Sequence, residues 1–366
     1  MPREVVIVHS GETPPSEWDA SVFLAGPVPR SPEVPSWHPE AIGLLRRGWA
    51  GPGRLVVFAP EPREGVAVEG TDSMDWEEDG LRRSDVVLFW IPRAMPAMPG
   101  LTTNIEWGAL HASGRAVLGV PPGAASVDYP LRQARDHAVP VARTLERTVA
   151  DALKAVGPGG RRGGGERDVP LTVWRTPGFE RWYAAQRDAG NTLLGARIEW
   201  ASRAGDERET VRYWAARVRV RVAAEDRVRD GEIVISRPDT AHVVLYRPAP
   251  VPGDTVVVLV RGCRVPDAAP DAFARDLVRR AAAQAGEATG LAVDADRLRR
   301  HGGRQAAAGL SAHHAHLFSA VITEAELDRL RASPPARAAV ATLAELHADP
   351  GADWAVLGMI AQVIAS

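Results

Sequence analysis

The chain has 366 residues, of which 45% are hydrophobic, 25% charged and 6% aromatic, with 44 basic against 46 acidic side chains. That length suits about two domains of ~150 residues, and the apolar share excludes a largely disordered protein. A formal charge of −2 gives no electrostatic reason to expect nucleic acid or an anionic membrane as partner. Cys263 is the only cysteine, which rules out a disulfide within the chain and argues against a cysteine-based zinc site. The opening MPREVVIVHSGE has neither the cationic start nor the apolar run of a signal peptide, and no stretch reaches ~18 apolar residues. A soluble, cytoplasmic protein is expected.

In chain order, short uninterrupted apolar runs come first: Val5–Val8, Val22–Ala25, Leu55–Phe58, Asp85–Ile91 and Ala116–Val120. Runs of this kind suit strands covered on both faces, as in a parallel sheet. Between and after them, helix-period segments run from His38 to Trp49, Ser73 to Arg83, Thr103 to Ala112 and Ala142 to Val156. Strand alternating with helix predicts an open α/β sandwich, whose ligands gather at the carboxyl ends of the strands. Those ends are Gly26-Pro27, Trp90 to Thr103 and Pro121-Pro122.

Glycines and a proline crowd Gly157 to Gly165, a composition that favours a mobile linker over a helix or strand. The expected organisation is therefore a first domain over 1–156, a linker over 157–168 and a second domain over 169–366. Beyond the linker the periodicity changes to two. Tyr213–Val222, Gly231–Ser236, Ala241–Tyr246 and Thr255–Arg261 read as strands with arginines facing solvent. A helix over Pro270–Gly286, a strand over His314–Ile322 and a helix-rich tail complete an α+β half.

The segment most suggestive of chemistry is Pro99-Gly100-Leu101-Thr102-Thr103-Asn104-Ile105-Glu106-Trp107-Gly108, which follows an apolar strand and opens a helix. Thr103 has the character of an N-cap, and Glu106 three residues on has capping-box spacing, so Glu106 reads either as a cap or as a functional carboxylate. Trp76-Glu77-Glu78-Asp79 brings further carboxylates towards the same edge. The strand VFLAGP ends in Gly26, which lets a ligand approach the backbone.

VFLAGP, WEEDGLRRSDVVLFWIPR, PGLTTNIEWG and RAVLGVP together resemble the nucleoside 2-deoxyribosyltransferase family over roughly residues 20–150. The resemblance implies a flavodoxin-like or Rossmann-like parallel sheet and a double displacement at the anomeric carbon of a nucleoside or nucleotide. Glu106 would be the nucleophile, and Glu77 the carboxylate that protonates or holds the base. Phe23, Gly26, Pro27, Trp90, Arg93, Thr102, Thr103 and Asn104 would line the substrate site, with Asn104 on a sugar hydroxyl. Neither metal nor cofactor is required, and a homodimer or higher oligomer is implied. Phe23 stands where many members carry a tyrosine, and Gly100 where they carry aspartate or serine. Transfer to a second base and hydrolysis both remain open, as does phosphorylation of the substrate. His38 reads as a base or phosphate contact or as a surface histidine at a helix start.

Residues 255–331 resemble a Nudix domain with a degenerate box. Ala283 to Leu291 occupy the box's last nine positions and keep only Glu287 of its glutamates, too few oxygen ligands for a magnesium site. This half reads as Nudix-like without diphosphatase activity. His314 and His316 fall on one strand face with no evident carboxylate partner, which favours packing over metal binding. Two other readings compete with the enzyme: a degenerate nucleotide-binding module, and stepwise processing of an NAD-like dinucleotide by both halves.

Overall fold

The computed structural model describes residues 3–31, 33–63, 70–202, 211–260, 273–305, 307, 309–335 and 338–366. Cys263, Arg261 and the start of the helix expected from Pro270 lie outside them. The chain divides into two compact units, Met1–Ile235 and Ser236–Ser366.

In the first unit the apolar runs become strands: β1 (Glu4–His9), β2 (Glu17–Trp18), β3 (Ala20–Ala25), β4 (Arg54–Ala59), β5 (Val86–Trp90), β6 (Ala116–Gly119) and β7 (Val141–Ala142). The helices between and after them are α1 (His38–Gly48), α2 (Gly70–Arg83), α3 (Leu101–Leu110), α4 (Asp128–Asp136) and α5 (Leu145–Val156). Six strands pair in the order β1-β4-β3-β5-β6-β7, all parallel. Without the edge strand β1 this is the 2-1-3-4-5 order of a doubly wound sheet, with its reversal of direction between β3 and β5. Alternate side chains feed two cores. Val22 and Leu24 pack with α1 and α5, while Phe23 and Ala25 pack with α2, α3 and α4.

The glycine-rich segment is built into this unit. There β8 (Arg162–Gly163) pairs antiparallel with β2, and a short 3-10 turn spans Gly164–Asp168. Arg162 is fully buried and grips Asp85 at the start of β5 with both terminal nitrogens, at 2.7 and 2.6 Å. Asp85 also accepts from the backbone N–H of Ser21 and of Leu171, each at 2.7 Å. The segment expected to hang free is thus clamped across the sheet. The division of the chain falls about seventy residues later than the glycines suggest.

Helices α6 (Leu171–Trp174) and α7 (Pro177–Asp188) follow, then a three-stranded sheet in the order β11-β10-β9 from β9 (Thr192–Ser202), β10 (Tyr213–Val222) and β11 (Arg227–Ser236). On β10, Trp214, Ala216, Val218 and Val220 turn inward while Arg217, Arg219 and Arg221 face solvent, as the period-two pattern predicts.

The second unit contains β12 (Thr240–Arg247), β13 (Val256–Val260), α8 (Phe273–Thr289), β14 (Arg299–Gln305), β15 (His314–Val321), α9 (Glu324–Ala332), β16 (Ala338–Thr342), α10 (Leu343–Ala348) and α11 (Trp354–Ile364). Its sheet runs β14-β15-β12-β13-β16, with β12 and β15 parallel and the other pairs antiparallel. The parallel pairing brings His316 to Asp239, Nε2 to Oδ2 at 3.1 Å, supplying the carboxylate partner that the sequence did not reveal. Among the described residues, no group of three His, Cys, Asp or Glu side chains is arranged to hold a metal ion, and no helix is long and apolar enough to cross a membrane.

Candidate active site at the sheet reversal

Where β3 and β5 diverge, their carboxyl ends approach so closely that only glycine fits. A Cβ on Gly26 would lie 2.1 Å from the Trp90 carbonyl oxygen and 2.8 Å from Cζ2 of Trp37. Pro27 is buried, and its carbonyl accepts from Trp37 Nε1 at 3.0 Å. Its ring lies against Gly100, which caps α3 in the left-handed region at φ +61°.

Helix α3 therefore starts at Leu101, earlier than the Thr103 cap expected from the sequence. Glycine offers no side-chain oxygen, and no side-chain hydrogen bond caps this end. Its first N–H groups have no intrahelical partner. Glu106 falls in the second turn, where it cannot serve the capping box. Trp107 anchors the helix. It is 2% exposed, packs edge-on against Phe89, and donates from Nε1 to Gln133 Oε1 at 2.9 Å.

Burial pushes the Glu106 carboxyl up to about 7, and the charge of Glu77 on α2 pushes in the same direction. Glu77 is raised too, chiefly by burial, with a hydrogen bond from Ser73 Oγ partly opposing the rise. Ser73 in turn meets Ser10 Oγ, at the end of β1, at 3.3 Å. Two desolvated carboxylates thus come from successive helices, and the charge of Glu77 acts on Glu106 beside the sheet reversal. No arginine or lysine appears among the groups that shift either one.

The remaining expected contacts sort clearly. Arg93 is 6% exposed, and its terminal nitrogens are engaged by Ser126 O at 2.8 Å and Asn104 Oδ1 at 2.5 Å. It ties the loop before α4 to the start of α3 and fixes the Asn104 side chain. Asn104 and Thr102 are exposed, whereas Thr103 is buried with its hydroxyl unpartnered. Trp90 is largely buried at the end of β5, lying over Gly119. Phe23 is fully buried among Phe58, Trp76 and Gly80. That position makes it part of the floor supporting α2, with no open surface of its own. His38 is also buried, contrary to the surface reading, and pairs with Glu61.

Residues 19–124 match the family model described as nucleoside 2-deoxyribosyltransferase like. The match covers less than a third of the chain, but it spans β3 through the strand after α3 and contains Gly26, Glu77, Trp90, Arg93 and Glu106. It supports glycosyl transfer, at a coarse level, as the chemistry of this region. It stops at residue 124 and does not reach residues 255–331, so it does not support the Nudix resemblance expected there. No curated protein matches the chain. The matched region thus contains both raised carboxyls.

Proposed function

We propose that the first unit cleaves or exchanges the N-glycosidic bond of a nucleoside or nucleotide through a covalent glutamyl-sugar intermediate on Glu106. The observation that carries this reading is the Glu106–Glu77 pair beside the sheet reversal, two carboxyls raised by burial, with the charge of Glu77 raising Glu106 further. Glycosidic chemistry pairs an attacking carboxylate with a second carboxyl that serves the leaving group. The ionised Glu106 oxygen bonds to C1′ as the C1′–N bond breaks, and the electron pair leaves with the base. Glu77, whose charge raises Glu106, holds the departing base, which takes its proton from water. Water or a second base then attacks C1′, the ester to Glu106 breaks, and Glu77 takes up the proton released. Asn104, held by Arg93, and Thr102 are exposed at the start of α3 for the sugar, and the uncapped helix end favours a 5′-phosphate.

The test is incubation of the protein with a panel of nucleosides and 5′-monophosphates, with and without acceptor base, followed by chromatography and mass spectrometry. Release of base from at least one substrate and a sugar adduct on the peptide containing Glu106 are expected. No turnover across the panel, or an adduct on another residue, would overturn the reading.

The pair also predicts a pH profile. Glu106 must be ionised to attack, so kcat/KM should rise with pH along a limb centred near 7. Glu77→Gln removes the neighbouring charge, so this limb should move to lower pH even as the overall rate falls. Burial is the larger cause, so the limb should stop short of the ordinary carboxylate value of 4.5. A limb that stays in place would show that the two groups do not interact.

Leu101 and Ile105 on α3 are 64% and 75% exposed, which supports a second copy of the chain covering this helix. The second unit fits a Nudix-like role without diphosphatase activity, since Glu287 stands exposed on α8 as the one box glutamate.

A further inference from the structure

We propose that His38, held by Glu61 and Ser36, is a hydrogen-bonding contact for the heterocycle at the same mouth, contributed by the other layer of helices. This rests on the reading of Glu106 as the sugar-capturing group. It concerns a residue outside that chemistry.

The imidazole is 2% exposed at the first position of α1. Its Nδ1 lies 3.0 Å from Glu61 Oε2 and 3.2 Å from Ser36 Oγ, and Ser36 Oγ itself donates to Glu61 Oε2 at 2.8 Å. One ring face stacks on Trp37 with centroids 4.1 Å apart. Burial tends to raise the Glu61 carboxyl, but the hydrogen bonds from His38 and Ser36 and the nearby histidines bring it below its ordinary value. An ionised Glu61 accepts a hydrogen bond from Nδ1–H and thereby fixes the tautomer of the neutral ring. The lone pair is then on Nε2, which is buried and meets no hydrogen-bond partner. An imidazole nitrogen left so has lost its water without gaining a partner, a penalty that a bound N–H donor removes.

Two chains of contact connect this ring to Glu106. Along one, Trp37 touches Gly26 and bonds to Pro27, and Pro27 packs on Gly100 at the head of α3. Along the other, the Glu61 carbonyl meets His9 Nδ1 at 3.1 Å. Ser10 follows in sequence and meets Ser73, which bonds to Glu77, the group acting on Glu106. The two chains connect the carboxyl ends of β1, β4, β3 and β5, and α1 and α3 belong to opposite layers. With the head of α3 suited to the sugar and its phosphate, the imidazole is left for the heterocycle. Nucleobases carry the ring N–H and amino donors that a neutral Nε2 accepts.

The experiment is titration calorimetry of the full chain with free adenine, guanine, hypoxanthine, cytosine and thymine, and with ribose 5-phosphate as the sugar arm. At least one base should bind. His38→Phe keeps the stacked ring but removes Nε2, and it should raise that Kd at least tenfold, as should His38→Gln. Melting curves identify any variant that has lost its fold, and either folded variant decides the question. Base binding unaffected by both His38 variants, binding of no base at all, or His38-dependent binding of ribose 5-phosphate alone would each overturn the inference. His38-dependent base binding without turnover of any nucleoside would instead remove the catalytic reading and leave this one intact.

Discussion

Glu106→Gln should lower base release at least ~1,000-fold, a loss of about 4 kcal/mol of transition-state stabilisation, while making the protein more stable above neutral pH. The first effect follows from chemistry. Glutamine keeps the shape but supplies neither the attacking oxygen nor the negative charge beneath an oxocarbenium-like sugar. The second effect follows from linkage. The folded-state value is about 7 against 4.5 for an ordinary glutamate, so between those values the folded chain binds more protons than the unfolded one. Stability therefore falls as pH rises from 4.5 to 7, and the full cost, about 3 kcal/mol, is present above 7. Glutamine carries no such cost. Urea unfolding of parent and variant at pH 4 and pH 8 should show a gap at pH 8 that closes at pH 4. An inactive variant with the same stability difference at both pH values would show that the carboxyl is not desolvated.

Asp85→Ala should cost about 3–5 kcal/mol, the range for a buried ion pair that loses one partner. Asp85 and Arg162 are both 0% exposed at their side chains, and the carboxylate gathers two guanidinium nitrogens, the Ser21 N–H and hydroxyl, and the Leu171 N–H. Alanine leaves a guanidinium in an apolar interior and two backbone donors unpaired. Adding Arg162→Met removes the stranded charge, so the double variant should be more stable than the sum of the single losses implies. Urea midpoints at constant slope test both statements. A loss below about 1 kcal/mol for Asp85→Ala would mean that water or a rearranged neighbour replaces the carboxylate.

Much of the first unit was legible because its signals are local and strong. Each uninterrupted apolar run became a parallel strand, since only a sheet covered on both faces accommodates Val56-Val57-Phe58 or Val86-Val87-Leu88-Phe89-Trp90 without exposing a side chain. Glu106 and Glu77 were singled out through motif order, and the structure adds that the charge of Glu77 raises Glu106. What stayed hidden depended on distant partners. The glycines at 157–165 looked flexible because composition does not show that Arg162 reaches a carboxylate 77 positions earlier. His38 looked like a surface residue because its burial depends on Glu61, beyond the next strand. His316 gains Asp239 only through the parallel pairing of β12 with β15. Thr103 and Glu106 had cap spacing, yet Gly100 with its positive φ starts the helix earlier and turns that threonine inward.

The clamp also bears on where this polypeptide can be severed. A fragment ending at the glycines, although it would keep the whole segment that matches the family model, would lack Arg162 and Leu171 and leave a naked anion between β3 and β5. The smallest autonomous piece must therefore extend well past its recognisable sequence, and the glycine run is better regarded as a buckle than a hinge.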